Sequence, residues 1–292
     1  MDLEICIATT GRKDTLSELI RYIKGDLGVS VPVWVSVASD RDYDPAVLDG
    51  YSDVKIVFSP KGSCAQRNAV IGRSNADILL FLDDDFLMAP EYIEETVHAF
   101  YREPDVVVMT GSLIKDGIIG PGIEFGEAKR LISQSSGAFQ GYGDMTPVYN
   151  GYGCNMAVRL PVCKKHNICF DESLPLYGWL EDVDFSRQLA KFGRVVKSNA
   201  LKGVHLGTKR SGRTPGKRLG YTQIANPIYL SSKGTVSWRV SLKLMSRNIL
   251  ANVVRSFRPE PWVDRRGRLK GNLLAVYDLL RGKLSPANIV DM

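Results

Sequence analysis

No stretch of this 292-residue chain has enough consecutive apolar residues to cross a bilayer, so no transmembrane helix is expected. Its start, Met1-Asp2-Leu3-Glu4, has neither a basic n-region nor a long apolar h-region. No cleaved signal is therefore expected, and the chain reads as cytoplasmic. Cysteine is sparse: Cys6, Cys64, Cys154, Cys163 and Cys169 are odd in number, scattered and without a CxxC pair. That argues against a disulfide framework and for reduced thiols. Cys163, His166 and Cys169 sit close together but lack a fourth ligand nearby, so no metal cluster is expected there. What the C-terminal third lacks is acid. Residues 202–292 hold 18 Lys+Arg against only Glu260, Asp264, Asp278 and Asp291, a net of +14, whereas residues 1–201 hold 20 Lys+Arg and 28 Asp+Glu, a net of −8. The overall charge of +6 hides this split. A basic third on an acidic body points to an anionic partner: phosphate, nucleic acid or a membrane surface. At 44% hydrophobic and 24% charged, the chain is neither disordered nor fibrous. Its length suits one large domain or a domain plus an extension.

Alternating elements fill the first 110 residues. Short apolar strands are expected at 3–8, 31–37, 54–58, 78–82 and 106–110, the fourth a continuous apolar run as in a strand buried on both faces. Helices are expected at 14–24, where Leu16, Leu19, Ile20 and Ile23 have helical spacing and Asp14 is placed to cap, and at 64–74 and 90–102. The alternation implies an α/β domain with a largely parallel sheet flanked by helices. In such sheets ligands bind beyond the carboxyl ends of strands. Three polar segments fall there: Thr9 to Arg12, Ala38-Ser39-Asp40 and Asp83-Asp84-Asp85.

Three adjacent carboxylates at the end of a buried strand repel one another unless a cation sits among them. Clustered hard oxygens suit Mg2+ or Mn2+. The competing reading is an acidic turn that caps the next helix.

The surrounding motifs carry a resemblance. Ile7-Ala8-Thr9-Thr10-Gly11-Arg12 opens the chain; Gln66-Arg67-Asn68, Phe81-Leu82-Asp83-Asp84-Asp85, Gly153-Cys154-Asn155-Met156 and Glu181-Asp182-Val183-Asp184 follow in order. Over residues 3–206 the sequence resembles the inverting glycosyltransferases of family 2, which have the GT-A fold. Their first strand and loop, "ARN", "fLDxD", "GxNM" and "EDxD" elements match these five segments. One segment departs: where many members carry "DDGS", this chain has Val37-Ala38-Ser39-Asp40-Arg41-Asp42, with Ser39 or Asp40 in the base-reading place.

The resemblance implies roles. Asp85 is the expected direct metal ligand for Mn2+ or Mg2+, with His205 and Asp83 beside it, Asp83 contacting ribose or a metal-bound water and Asp84 supporting either. Thr9, Arg12, Asp40, Arg67 and Asn68 are expected to bind the nucleotide sugar. Asp182 is the expected catalytic base, with Glu181, Asn155 and Trp179 on the acceptor side. Arg67 could instead form an ion pair, Trp179 could be core, and Glu181-Asp182 could serve as helix N-terminal charge. His98 and His166 receive no role. The implied domain has a nucleotide-sugar half at about 1–110 and an acceptor half at about 111–206.

Residues 207–220 read as a flexible basic loop, with Lys209, Arg210 and Arg213 placed to close over a diphosphate or to form a solvated linker. Residues 221–292 read as a basic amphipathic helical extension. Trp238, Leu242, Met245, Ile249 and Val253 share one face with Arg239, Lys243 and Arg247 as a cationic stripe; a second helix follows at about 269–281, after Pro259 and Pro261. Such faces meet a membrane interface, the catalytic domain or a second copy in a homodimer.

The leading expectation is a metal-dependent inverting glycosyltransferase of bacterial surface polysaccharide assembly. It would act on a glycan or lipid-linked acceptor at the inner face of the cytoplasmic membrane. The alternatives are a nucleotidyltransferase acting on sugar phosphates, a non-catalytic basic binding protein, and an inactive family member. No nucleic-acid partner is expected, because the basic third has no recognised nucleic-acid module.

Overall fold

The computed structural model describes residues 1–135, 144–208 and 215–292. Nine strands and ten α-helices appear among them. In chain order these are β1 (Leu3–Ala8), α1 (Lys13–Ile20), β2 (Val33–Val37), α2 (Pro45–Leu48), β3 (Val54–Phe58), α3 (Ser63–Ile71), β4 (Ile78–Asp83), β5 (Phe86–Met88), α4 (Tyr92–Arg102) and β6 (Val106–Asp116). The second half holds α5 (Phe125–Ser135), β7 (Met145–Pro147), β8 (Asn155–Arg159), α6 (Leu160–Lys165), α7 (Glu181–Leu189), β9 (Arg194–His205), α8 (Gly216–Lys233), α9 (Trp238–Arg255) and α10 (Arg265–Leu280).

The strands form one sheet in the order β3-β2-β1-β4-β8-β6-β9-β5, with β7 on β9. The first four, β3-β2-β1-β4, are parallel, as the alternating pattern implies. Beyond β4 the sheet is mixed: β8 runs antiparallel to β4 and β6, β6 and β9 are parallel, and β5 and β7 lie antiparallel on β9. Side-chain alternation explains why the sheet is covered on both faces. Ile5, Ile7, Leu80 and Leu82 enter one core, whereas Cys6, Leu79 and Phe81 enter the other.

Local expectations shift in instructive ways. The first helix is followed by a π-helical stretch at Arg21–Asp26, and its N-cap is Arg12 with no side-chain cap bond, so Asp14 supplies first-turn charge and not a cap. The expected loop at 207–220 is helical from Gly216, where α8 begins. That helix contains Pro227 and two glycines, residues that read as breakers. The glycines are there for packing. A Cβ on Gly216 would lie 2.3 Å from Asp264 Oδ2, one on Gly220 would lie 2.0 Å from the Arg268 carbonyl oxygen, and one on Gly271 of α10 would lie 2.0 Å from that of Lys217, so α8 and α10 meet backbone to backbone. A small core of Tyr221, Ile224, Ala225, Ala275 and Ile289 and a buried amide network complete the extension. In that network Asn252 donates to Gln223 (2.8 Å) and Asn272 (2.9 Å).

Candidate active site

Sheet register assembles one corner of the site. Asp83 ends β4, and Asp84 and Asp85 form the turn into β5. Antiparallel pairing sets Phe86 opposite His205, and parallel pairing sets Asp116 opposite the same histidine. Asp83, Asp85 and His205 thereby offer one ligand atom each, all within 4.8 Å of one another. His205 Nδ1 donates to Asp116 Oδ1 at 2.9 Å. In the neutral ring this leaves the Nε2 lone pair aimed inward, the second-sphere arrangement common for metal-bound histidine. Burial opposes charge on the imidazole, but the bond to Asp116 and the nearby Asp85 carboxylate outweigh that and raise it to about 10. Asp85 Oδ2 accepts from Arg12 (3.1 Å) and from the Thr208 backbone N–H (3.2 Å). Asp85 Oδ1, 3.4 Å from His205 Nε2, is buried without a hydrogen-bond partner. A buried carboxylate oxygen left this way is costly unless a cation completes it, the His205 imidazolium or a metal ion in place of its proton. Two carboxylates and one imidazole suit Mn2+ and are compatible with Mg2+.

Thr9, Arg12 and Asp84 are brought together, but chiefly with one another. Thr9 Oγ1 donates to Asp84 Oδ2 at 2.5 Å, and Arg12 forks onto the same carboxylate. Asp84 is 1% exposed, and burial pushes it up to about 7 against the pull of Arg12. Asp84 therefore holds the β1 loop to the β4–β5 turn, and its carboxylate does not face a nucleotide. Arg12 also donates to Thr208 Oγ1 at 3.0 Å, tying in the segment after β9.

The second corner is built by a buried arginine. Arg67, on α3 and 4% exposed, donates to Asp83 Oδ1 (3.0 Å), Glu181 Oε1 (2.8 Å) and the Gly153 carbonyl (3.2 Å). Arg67 forms ion pairs, as in the alternative reading: it links Asp83 to the acidic pair, and its guanidinium is occupied. Asp182, in the first turn of α7, accepts from the Gly153 N–H (3.0 Å) and the Val183 N–H (2.8 Å) and is half-buried. Burial raises the Asp182 carboxyl against those two bonds. Burial and then the Asp182 charge push Glu181 up to about 8 against Arg67. Both carboxyls are thus better proton acceptors than ordinary ones.

The loop before α7 is left-handed at Leu176 (φ 59°), Gly178 (φ 61°) and Leu180 (φ 75°). The two leucines store strain on the order of 1–3 kcal/mol each. Ser63 N–H donates to the Leu176 carbonyl (2.8 Å) and Asn226 Nδ2 to the Trp179 carbonyl (2.8 Å), so α3 and α8 both hold this loop.

Other expected site residues fall elsewhere. Asn68 bonds Glu172 (2.9 Å) and both the N–H and carbonyl of Phe170, securing a loop, with its polar atoms committed inside the protein. Asn155 is fully buried in β8, where its Oδ1 accepts from Thr110 (2.6 Å), so it does not line an acceptor surface. Trp179 is half-buried against the second core and also borders a groove along α9. Asp40 is exposed on a short 3-10 turn after β2. The inward carboxylate there is Asp42, which accepts from Gly11 N–H (2.7 Å), Ala38 N–H (3.0 Å) and Ser39 N–H (2.9 Å). Lys209, Arg210 and Arg213 lie outside the described residues.

Sequence reasoning gave no role to Asp42, Asp116 or Asp184. Asp184 is fully buried and accepts from Lys233 (2.7 Å) and Thr235 (2.6 Å), fastening the C-terminal extension to α7. Asp42 was visible as the second acid of its segment. Asp116 has no local signal, because its partner is 89 residues away.

Comparison with known proteins agrees with this geometry. Residues 4–135 match the family model described as Glycosyl transferase family 2. A curated relative, glucosyl-dolichyl phosphate glucuronosyltransferase of Haloferax volcanii, is 21% identical over 164 residues, 54% of this chain and 52% of the relative. The chain thus spans about half the length of that relative. The mannosyltransferase PcManGT of Pyrobaculum calidifontis, solved with GDP-Man and Mn2+, superposes with a TM-score of 0.56 at 13% identity, covering 99% of this chain and 84% of that one. S. aureus TarS 1-349, solved with UDP-GlcNAc, superposes with a TM-score of 0.55 at 12% identity, covering 97% and 93%. These likenesses give the fold, GT-A, and the family match places the resemblance in the N-terminal part of the chain. The chain has the GT-A fold and resembles glycosyl transferase family 2, whose model matches residues 4–135.

Proposed function

We infer that this protein is a metal-dependent, inverting glycosyltransferase that moves a sugar from a nucleotide-diphosphate donor to an acceptor hydroxyl. The observation carrying this reading is the pairing of two acidic centres through one guanidinium: Asp83 of the Asp83-Asp85-His205 cluster and Glu181 of the acidic pair both bind Arg67. The family match over residues 4–135 and the nucleotide-sugar ligands of the two solved neighbours support it. They also leave the nucleotidyltransferase and basic-binding readings without support.

Asp83, Asp85 and His205 would hold Mn2+ or Mg2+. A divalent ion bound there supplies positive charge to the diphosphate as the sugar departs. Arg12 and Thr208 keep one Asp85 oxygen occupied and so leave the other for the ion. Asp182 takes the proton of the acceptor hydroxyl on Oδ1 or Oδ2 as that oxygen attacks the anomeric carbon from the face opposite the diphosphate. Gly153 and Val183 N–H groups fix the Asp182 carboxylate for that task. Glu181, held by Arg67, orients the acceptor, and Trp179 borders it. Thr9, Arg12 and Asp40 line the nucleotide side. The acceptor we propose is a glycan or lipid-linked glycan of surface polysaccharide synthesis, met at the inner face of the cytoplasmic membrane. Among the described residues, no helix is long and apolar enough to cross a membrane.

A thermal-shift screen of UDP, GDP and dTDP with and without Mn2+ tests the reading. Stabilisation by at least one of them that requires the metal is expected. No metal-dependent stabilisation by any of the three would overturn it.

A further inference from the structure

Twelve of the twenty large apolar side chains exposed among the described residues lie between Trp238 and Val290. On α9, Met245 and Ile249 turn inward onto the extension's own core, and Val240 and Leu244 pack on the catalytic domain. The helix nevertheless leaves Trp238 (51%), Leu242 (57%), Leu250 (65%), Val254 (60%) and, just beyond it, Phe257 (79%) in solvent. Residues 242, 250 and 254 lie on one i+4 ridge, and Arg239, Lys243 and Arg247 form the ridge next to it. None of those three cations has a partner among the described residues. A second strip, with Leu273 (63%), Tyr277 (52%) and Leu280 (82%), runs along α10 between exposed Arg266 and Lys270 at one end and Arg281 and Lys283 at the other.

Three of the four acids in the C-terminal third are committed elsewhere. Glu260 binds Arg255 and Arg265, Asp264 caps α10, and Asp278 bonds Tyr221. Surplus cations beside an apolar ridge are complementary to a surface that is apolar within and anionic at its rim. A second copy placed on this face by a twofold would set cations against cations. The face is also continuous with the catalytic domain. A groove of about 610 Å³ lies between Trp179 and α9, lined by Leu244, Arg247, Leu250 and Val254, and Trp179 is two residues from Glu181.

We propose that the outward face of α9, extended by the α10 strip, docks on an anionic lipid bilayer. The helix lies in the interface plane, with Trp238, Leu242, Leu250 and Phe257 below the headgroups and Arg239, Lys243 and Arg247 among their phosphates. The groove beside Trp179 then opens at the bilayer surface. Docking itself does not depend on the transfer reaction; only its value for a lipid-linked acceptor rests on the proposed function.

The test is co-sedimentation of the full chain with vesicles of pure phosphatidylcholine and of phosphatidylcholine with one-third phosphatidylglycerol. Binding to the anionic vesicles is expected, at least tenfold weaker on pure phosphatidylcholine and at least tenfold weaker in 0.5 M salt. Arg239→Glu with Lys243→Glu and Arg247→Glu should weaken it at least tenfold, and Leu250→Ser with Phe257→Ser should do so separately. All five side chains are exposed, and an unchanged thermal midpoint for each variant verifies folding. Absence of sedimentation with anionic vesicles overturns the proposal. So does sedimentation indifferent to either variant, or light scattering that finds a dimer dispersed by Leu250→Ser with no vesicle binding in either form. Because no sugar transfer is measured, failure here leaves the catalytic reading untouched, and the reverse also holds.

Discussion

His205 turns its Nε2 toward Asp85 Oδ1, 3.4 Å away, and that oxygen is buried with no hydrogen-bond partner. The histidine is set in this pose by Asp116, and the aspartate by Arg12 and Thr208. An orphaned ligand oxygen facing a pre-oriented imidazole is the feature from which the metal assignment follows. Asp85→Asn and His205→Ala should each abolish Mn2+-dependent stabilisation by nucleoside diphosphates. Asp116→Asn should weaken Mn2+ affinity by about 10–100-fold, as loss of a second-sphere partner does. Calorimetric titration with Mn2+ reads all three, and undiminished affinity in Asp116→Asn contradicts its orienting role.

Asp182→Asn should retain metal-dependent diphosphate binding and lower kcat by about 10²–10⁴-fold, the span general-base catalysis covers. The pH profile adds a check. A base works when deprotonated, and burial raises the Asp182 carboxyl, so kcat should rise with pH along a limb above the ordinary carboxylate value of 3.8. Normal transfer by Asp182→Asn in a quenched-product assay removes the residue from the mechanism.

Arg67 neutralises Asp83 and Glu181 in a nearly solvent-free position. Arg67→Met leaves both carboxylates uncompensated and should cost about 3–5 kcal/mol of stability by denaturant unfolding. A loss under 1 kcal/mol would mean that the two acids are not held through this residue.

Lys233 spans Asp171 (2.6 Å) and Asp184 (2.7 Å), joining the extension to the segment before and within α7. Burial alone would raise Asp171, but the bond from Lys233 outweighs it and lowers its carboxyl. A lowered carboxyl stabilises the fold fully above its unfolded value and loses that contribution as pH falls through the folded one. The stability difference between the natural chain and Lys233→Met should therefore be largest at neutral pH and shrink below about pH 4. A difference independent of pH across that range excludes the ion pair as its source.

The parallel β3-β2-β1-β4 core was legible because each strand is a short apolar run followed by a polar turn, and Asp85, His205 and Asp182 were legible as motifs. Their supports were not. Asp116 reaches His205 only through the β6–β9 register, and Asp84 looks like a ligand until Thr9 and Arg12 are seen to enclose it. Asn155 sits in a motif, yet strand alternation in β8 turns it to Thr110. Helix α8 was obscured by Pro227 and by glycines whose purpose, close contact with α10, depends on a partner 50 residues away. Motif spacing locates the candidate site residues, whereas the groups that hold them answer to long-range register.

The central claim is that Asp83, Asp85 and His205 bind a divalent ion that the donor diphosphate needs. Isothermal titration of UDP and GDP into the natural chain and Asp85→Asn, each with Mn2+ and with EDTA, measures it directly. At least one of the two should bind the natural chain at least tenfold more tightly with Mn2+ than with EDTA, and Asp85→Asn should show no such difference. Equal affinity in Mn2+ and EDTA for the natural chain, or a full metal effect in Asp85→Asn, would contradict the account.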